Sequence, residues 1–381
     1  MSASPLRPDD VLRRAHAIGS YYGFTPFSVL AAGKRGQGTK APYPEGISPD
    51  LYDPVARDVV PFLKQVRDAN LFDVPQQPLF LWHSNAAPGR TSPKVITLQF
   101  HAMGVDRAIA DAVLIRTVRA LIMDLTKVEP VLRLNSMGDK ETRGRFAKEL
   151  TQFFRKHGAA LPPDCVACAK RDVLEATELL IADNSNDSIP SPTDHLSEVS
   201  RKHFEDLLEY LESTDTPYEL ASTLLSRGSA WTETCFEITS DARITAWGAR
   251  YNDLARPFFK SSLPSIGAVI RIQVAAPASI SAMKVQAKPR FVFVHIGEEA
   301  KRESIRMADL LRHARIPLTQ AIGIESLTEQ MRFVETINPP YVIIMGRKEA
   351  LERSVILRER ATHTETFIPL DDLVERLRKV A

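Results

Sequence analysis

The residues whose spacing most directly suggests chemistry are Cys165 and Cys168, which with Val166 and Ala167 form a Cys-x-x-Cys step. Two thiolates so placed can share a zinc ion or exchange a disulfide. No second pair completes the step, and Cys235, the third cysteine, is far off in sequence. Structural thiols are the simpler reading, and three cysteines cannot build a disulfide scaffold, which agrees with a reducing compartment. Positive charge must also act locally if it acts at all. Lys and Arg number 49 against 47 Asp and Glu, a formal net charge of +2. Bulk charge therefore does not announce nucleic-acid binding, which would need a local basic face.

A chain of 381 residues is long enough for two domains, and 44% hydrophobic with 25% charged residues is ordinary for a globular protein. No apolar run reaches the ~18–20 residues of a membrane span. The segment Met1–Asp10 has no apolar signal core, so a cytoplasmic protein without a membrane partner is expected. A first helix is predicted to begin near Pro8, with Val11, Leu12, Ala15 and Ile18 on one face, and to run into Tyr21-Tyr-Gly-Phe-Thr-Pro26. Residues 33–50 read as a loop. Leu79–Trp82 and Lys94–His101 read as a hairpin with a long Pro/Gly/Ser loop. Residues 108–124 have helical spacing. Asp139 is the expected cap of a helix whose stripe is Phe146, Leu150, Phe153 and Phe154, ending at Gly158. A polar loop at 182–197 precedes a helix through Phe204, Leu207, Leu208 and Leu211. Strands are expected at 234–239, 244–248 and 267–274.

The last hundred or so residues alternate strand and helix: Phe291–Gly297, a charged helix from Glu298, a second around 326–337, Tyr341–Gly346 and a closing helix from Pro369. Such alternation implies a small βαβ domain with a parallel or mixed sheet. With its strand–Gly346–Lys348-Glu-Ala-Leu351 element, the segment resembles the anticodon-binding domain of the histidyl, glycyl, threonyl and prolyl group of class II aminoacyl-tRNA synthetases. Upstream, Leu132-Arg-Leu-Asn-Ser-Met-Gly-Asp-Lys-Glu141 resembles the Asn-Ser-Leu-Gly-Asp stretch of histidyl-tRNA synthetases, and the helix entering Tyr22-Gly23-Phe24 resembles the first class II motif. The resemblance implies an α/β (α+β) fold, a class II antiparallel sheet with helices over residues 1–275. A linker at 276–289 and an anticodon-binding-like βαβ domain at 290–381 follow.

The same resemblance supplies candidate site residues. Activating an amino acid with ATP needs cations for the phosphates and polar partners for the amino acid. The family's Phe-His-Gln-x-Gly-x-Glu strand is Phe100-His-Ala-Met-Gly-Val-Asp106 here, keeping an acid at Asp106 and losing the amide at Ala102. The histidine-specific stretch is Arg227-Gly-Ser-Ala-Trp-Thr-Glu-Thr-Cys-Phe-Glu237, one residue short, with Arg227, Trp231, Thr234, Phe236 and Glu237 at matching or equivalent positions. Gly248-Ala-Arg-Tyr-Asn-Asp-Leu254 keeps Arg250 and Tyr251 of a Gly-Gly-Arg-Tyr-Asp turn. Asp106, Arg227, Trp231, Thr234, Arg250 and Tyr251 are thus the implied amino-acid pocket. The second class II motif meets Leu79–Asn85, with neither its Arg nor its Glu. The third, ending Gly-x-Glu-Arg, meets Arg271-Ile-Gln-Val274. Arg90 and Arg271 are the remaining candidates for ATP, and strand alternation puts Arg271 on the face opposite position 274. Arg347, Lys348, Arg358 and Arg360 are the candidates for tRNA.

These departures imply a histidyl-tRNA synthetase-like protein degenerate in its ATP motifs, binding tRNA and a histidine-like molecule as a homodimer through residues 21–30. ATP and Mg2+ are expected only if catalysis survives. Three alternatives stand beside it: an active histidine–tRNA ligase, a regulatory subunit of histidine biosynthesis, and a structural partner of another synthetase. The carboxy-terminal domain argues against the regulatory subunit, because that family lacks it.

Overall fold

The structure is a computed structural model that describes residues 6–32, 42–48, 54–72, 78–84, 95–183, 189–225, 230–241, 243–274 and 289–380. Arg90, Arg227 and linker residues 276–288 lie outside the described residues.

Eight strands form the large sheet: β1 (Thr25–Pro26), β2 (Leu79–Ser84), β3 (Val95–Met103), β4 (Val131–Ser136), β5 (Glu219–Leu220), β6 (Thr232–Thr239), β7 (Ile244–Arg250) and β8 (Ser265–Gln273). Their order is β1-β2-β3-β8-β7-β6-β4-β5, antiparallel except at the outer pairs β1–β2 and β4–β5. Side chains alternate between faces along each strand. Phe100, Ala102, Ile266, Ala268 and Ile270 therefore face the back, under helices α1 (Pro8–Tyr21), α4 (Ala108–Thr126) and α8 (Glu198–Ser213). Leu81, Met103, Val269 and Tyr251 face the front. There they meet α3 (Pro54–Asp68), which follows the short α2 (Phe27–Ala32), together with α5 (Lys140–His157) and α9 (Asn252–Phe259). Beside α5 lie α6 (Pro163–Ala169) and α7 (Val173–Ala182).

Local chemistry sets these elements. Pro8 at the start of α1 and Asp9 and Asp10 in its first turn suit a helix N-terminus. Asp139 caps α5 by accepting from the Thr142 backbone N–H at 2.8 Å. Helix α4 is buried almost all round, because the sheet covers one side and α1 and α8 the other.

A second, mixed sheet runs β10-β9-β11-β12-β13, with β9 (Phe291–His295), β10 (Thr319–Gln320) and β11 (Tyr341–Met345) parallel. The chain then doubles back through β12 (Ser354–Glu359) and β13 (Glu365–Pro369), both antiparallel. Helices α10 (Glu298–His313) and α13 (Leu370–Val380) cover one face and α11 (Leu327–Ile337) covers part of the other. The short α12 (Arg347–Leu351) links β11 to β12.

The outer side of α10 seals the two bodies together. Ile305 and Ala308, with Ile322, join the back core of the large sheet. At its rim Asp309 accepts from the Tyr22 hydroxyl and pairs with Arg116.

Two expectations need correcting. The large apolar side chains of the expected dimer segment 21–30, Tyr22, Phe24 and Phe27, would have to be left wet to offer a face to a second copy, yet all three are buried within the chain. Tyr22 lies under α10, Phe24 stands edge-on to Phe80 and Phe100, and Phe27 stands edge-on to Phe62. Elements α2, α3, α6, α7, α9, α12, β4, β5, β10, β12 and β13 are additional to the predicted set.

Candidate functional site

The front of the large sheet carries a polar chain beneath α3. Gln99 donates to the Asp58 carbonyl at 3.2 Å and its amide oxygen meets His101 Nε2 at 3.1 Å. With Nε2 donating there, Nδ1 accepts from the Tyr251 hydroxyl at 2.8 Å. Phe62 of α3 lies flat on His101, centroids 4.1 Å apart and planes 12° from parallel. Burial, with His83 nearby, pushes His101 down to about 3, so the ring is neutral at pH 7. Burial likewise raises the Tyr251 hydroxyl, which stays protonated. Gly267 makes the fit possible, since a Cβ there would stand 2.4 Å from His101 Nδ1.

Farther along this face, toward the other ends of β7 and β8, a cavity of about 500 Å³ opens between the sheet, α3 and α7. Trp247, Thr245 and Arg271 form part of its floor, and Glu178, Glu237 and Thr223 border it. Arg271 reaches Asp58 of α3 at 2.8 Å, and Glu237 accepts from Arg133 at 3.1 Å. Among the described lining residues Arg271 is the single cation, and Glu178 and Glu237 are the carboxylates.

On the back, Asp111 sits wholly buried in α4. It pairs with the buried Arg250 at 2.6 Å and accepts from His203 at 2.7 Å and Thr234 at 2.8 Å. Arg250 also donates to the carbonyls of Val105 and Arg107, each at 2.9 Å. Burial alone would raise the Asp111 carboxyl, but Arg250 and His203 hold it below the usual carboxylate range.

This geometry divides the amino-acid pocket implied by the motifs. Asp106 is not part of any pocket: its side chain is 77% exposed, 4.0 Å from Arg107. The cause is Gly104, which turns the chain at φ +84° so that Val105 faces inward and Asp106 outward. Arg250 and Thr234 point to the back and are committed to Asp111. Trp231 and Tyr251 share the front, ring centroids 6.4 Å apart, but both are buried and neither lines the cavity. Of the two candidates for ATP, Arg271 lines the cavity. Val274 joins the back core, so the two do lie on opposite faces.

The four tRNA candidates lie on the second body with polar partners: Arg347 by Glu299 at 3.2 Å, Lys348 by Glu352 at 4.0 Å, Arg358 on Glu365 and Arg360 on Asn338. Cys165 and Cys168 are buried free thiols that burial makes harder to ionise. Asp58, Glu178, Trp247, Asp111 and His203 were not singled out by motif. Asp111 had a usable signal, a carboxylate inside the apolar run Ile109–Ile115.

Comparison with known proteins follows the same lines. The anticodon binding domain family matches residues 290–380. The histidine–tRNA ligase of Fervidobacterium nodosum is 28% identical over 273 residues, covering 68% of this chain and 64% of that protein. That of Halothermothrix orenii is 29% identical over 301 residues, covering 74% and 71%. The alignment thus spans just under two thirds of the first relative's length. Apo histidyl-tRNA synthetase from S. aureus superposes with a TM-score of 0.50 at 19% identity, covering 98% of this chain and 97% of that one. A large antiparallel-dominated sheet followed by an anticodon-binding domain defines a class II aminoacyl-tRNA synthetase-type protein. Within that class the chain is most readily compared with histidine–tRNA ligases, to which it is similar in sequence over 68–74% of its length and in fold throughout.

Proposed function

We propose that this chain binds tRNA and a small molecule on a histidyl-tRNA synthetase frame, with residues 1–275 as the synthetase-like domain and 290–381 as the tRNA-binding one. Its power to activate histidine with ATP is lost or strongly reduced. The observation that carries the second half is the commitment of Arg271, the cation among the described lining residues, to Asp58, while Val274, where the third motif's arginine would stand, is buried in the back core. A fixed charge already paired within the chain is a weak partner for a phosphate, and a valine supplies none. ATP with Mg2+ is therefore a poor fit to the described lining residues. The relatives' names make histidine the first small molecule to test.

Support for tRNA comes from the match of residues 290–380 to the anticodon binding domain. For a homodimer, the apolar area left near residues 21–30 is Val29 with Leu30 beside Pro26 and the outer edge of β1. Calorimetry with histidine, a tRNA-binding titration and sedimentation at micromolar concentration test the three parts. No tRNA binding at low salt would remove the central one.

A further inference from the structure

Helix α5 exposes Lys140, Arg145, Lys148, Arg155 and Lys156, five cations over 17 residues. At 1.5 Å and 100° per residue they span about 24 Å along the helix and fall within an arc of about 160°. The opposite arc carries Thr142, Phe146, Leu150, Phe153 and Phe154, all buried. The helix is thus fixed by its apolar side, and its basic side has no packing role. Glu141 is the one exposed acid on that arc and is engaged by Arg145. Among the described residues no carboxylate pairs with Lys140, Lys148, Arg155 or Lys156. On the second body, by contrast, Arg347, Lys348, Arg353 and Arg358 each face an acid.

We infer that this face of α5 is a second nucleic-acid contact, binding the phosphate backbone of a structured RNA without reading its bases. The inference rests on the tRNA-binding reading above and adds a site outside the anticodon-binding match. Lys and Arg without partner acids, repeated along a rigid rod, suit a polyanion whose charges recur at similar intervals. The absence of exposed aromatic residues on the arc argues against a base-stacking platform and for backbone contact. The inner side of α5 shares an apolar cluster with α7, whose Glu178 and Ile181 border the front cavity. RNA laid on α5 would therefore run beside that cavity.

The test is a titration of unfractionated tRNA against three full-length proteins at several salt concentrations. These are the unmodified chain, a variant with Lys140, Arg145, Lys148, Arg155 and Lys156 all changed to Gln, and Arg347→Gln/Lys348→Gln. A lighter variant, K148Q/K156Q, serves if the fivefold change disturbs folding. The fivefold variant should lose affinity at least about tenfold near 0.1 M salt, and the slope of log affinity against log salt should shrink by about 2 to 4. K148Q/K156Q should shrink it by about 1 to 2. Unchanged affinity and slope, with the unmodified chain binding and Arg347→Gln/Lys348→Gln weakened, would overturn this site and leave the tRNA reading intact. If the unmodified chain binds no tRNA, or the α5 residues hold anionic vesicles instead, both this inference and its RNA partner fall.

Discussion

Arg271 of β8 and Asp58 of α3 meet at 2.8 Å on the sheet face that floors the front cavity. Of the two arginines left as candidates for ATP, Arg271 is thus held against a helix of the same chain, and Arg90 lies outside the described residues. Both partners of the pair are partly solvent-exposed, so its stabilising effect is modest. Asp58→Ala should cost about 1 kcal/mol or less, read as a small drop in urea midpoint without a change in slope. A loss several times larger would mean that the pair organises α3 as a whole.

The Asp111–Arg250 pair is expected to behave differently, because both side chains are wholly buried. Asp111→Ala leaves a guanidinium without its carboxylate, at a cost of about 3–5 kcal/mol. Soluble yield and chemical denaturation would show it. A cost under 1 kcal/mol would place little weight on the pair.

Acid should act on the same pair. The Asp111 carboxyl is depressed in the folded chain, so below about pH 4 the unfolded chain takes up a proton that the folded one resists. The pair's contribution is fully present above that pH and is lost as pH falls through the folded value. His101 adds an earlier decline with the same sign. It is neutral when folded down to about 3, whereas an exposed histidine protonates near 6.5, so stability should fall as pH drops from 6.5 toward 3. Denaturation curves across pH 3–7 for the unmodified chain and His101→Gln check this, and the variant should show the shallower dependence between pH 6 and 4.

The seal made by α10 gives a prediction about cooperativity. Ile305, Ala308 and Ile322 belong to the back core, and Asp309 ties Tyr22 and Arg116 to the second body. The full chain should unfold in one transition, and Asp309→Ala should separate it into two. Two transitions in the unmodified chain would show the bodies to be independent.

Much of the fold was legible because periodicity survives without context. Helices α1, α4, α5, α8 and α10 and strands β2, β3, β6, β7 and β8 of the large sheet follow from apolar spacing and caps such as Asp139. Helix α3 was hidden by Pro54 and Pro61 and by the polar run before it. Strands β12 and β13 lay in a charged stretch with weak alternation. The candidate site was less legible, since motif resemblance says which residues match but not which way they point. Alternation could have separated Arg250 from Tyr251, as neighbours on a strand take opposite faces. The partners Asp111 and Asp58 come from elements 139 and 213 residues away in sequence and carry no motif of their own.

A synthetase-like frame is expected to keep tRNA binding here while ATP-dependent activation has faded. Histidine-dependent ATP–pyrophosphate exchange, run on a preparation already shown to bind tRNA, tests it most directly. Losing one fixed charge at a transition state typically costs about a hundredfold or more, so exchange should be absent or at least about a hundredfold below that of an intact histidine–tRNA ligase. Exchange at an ordinary synthetase rate would contradict the account, and would mean that Arg271 or Arg90 supplies the charge that the motifs lack.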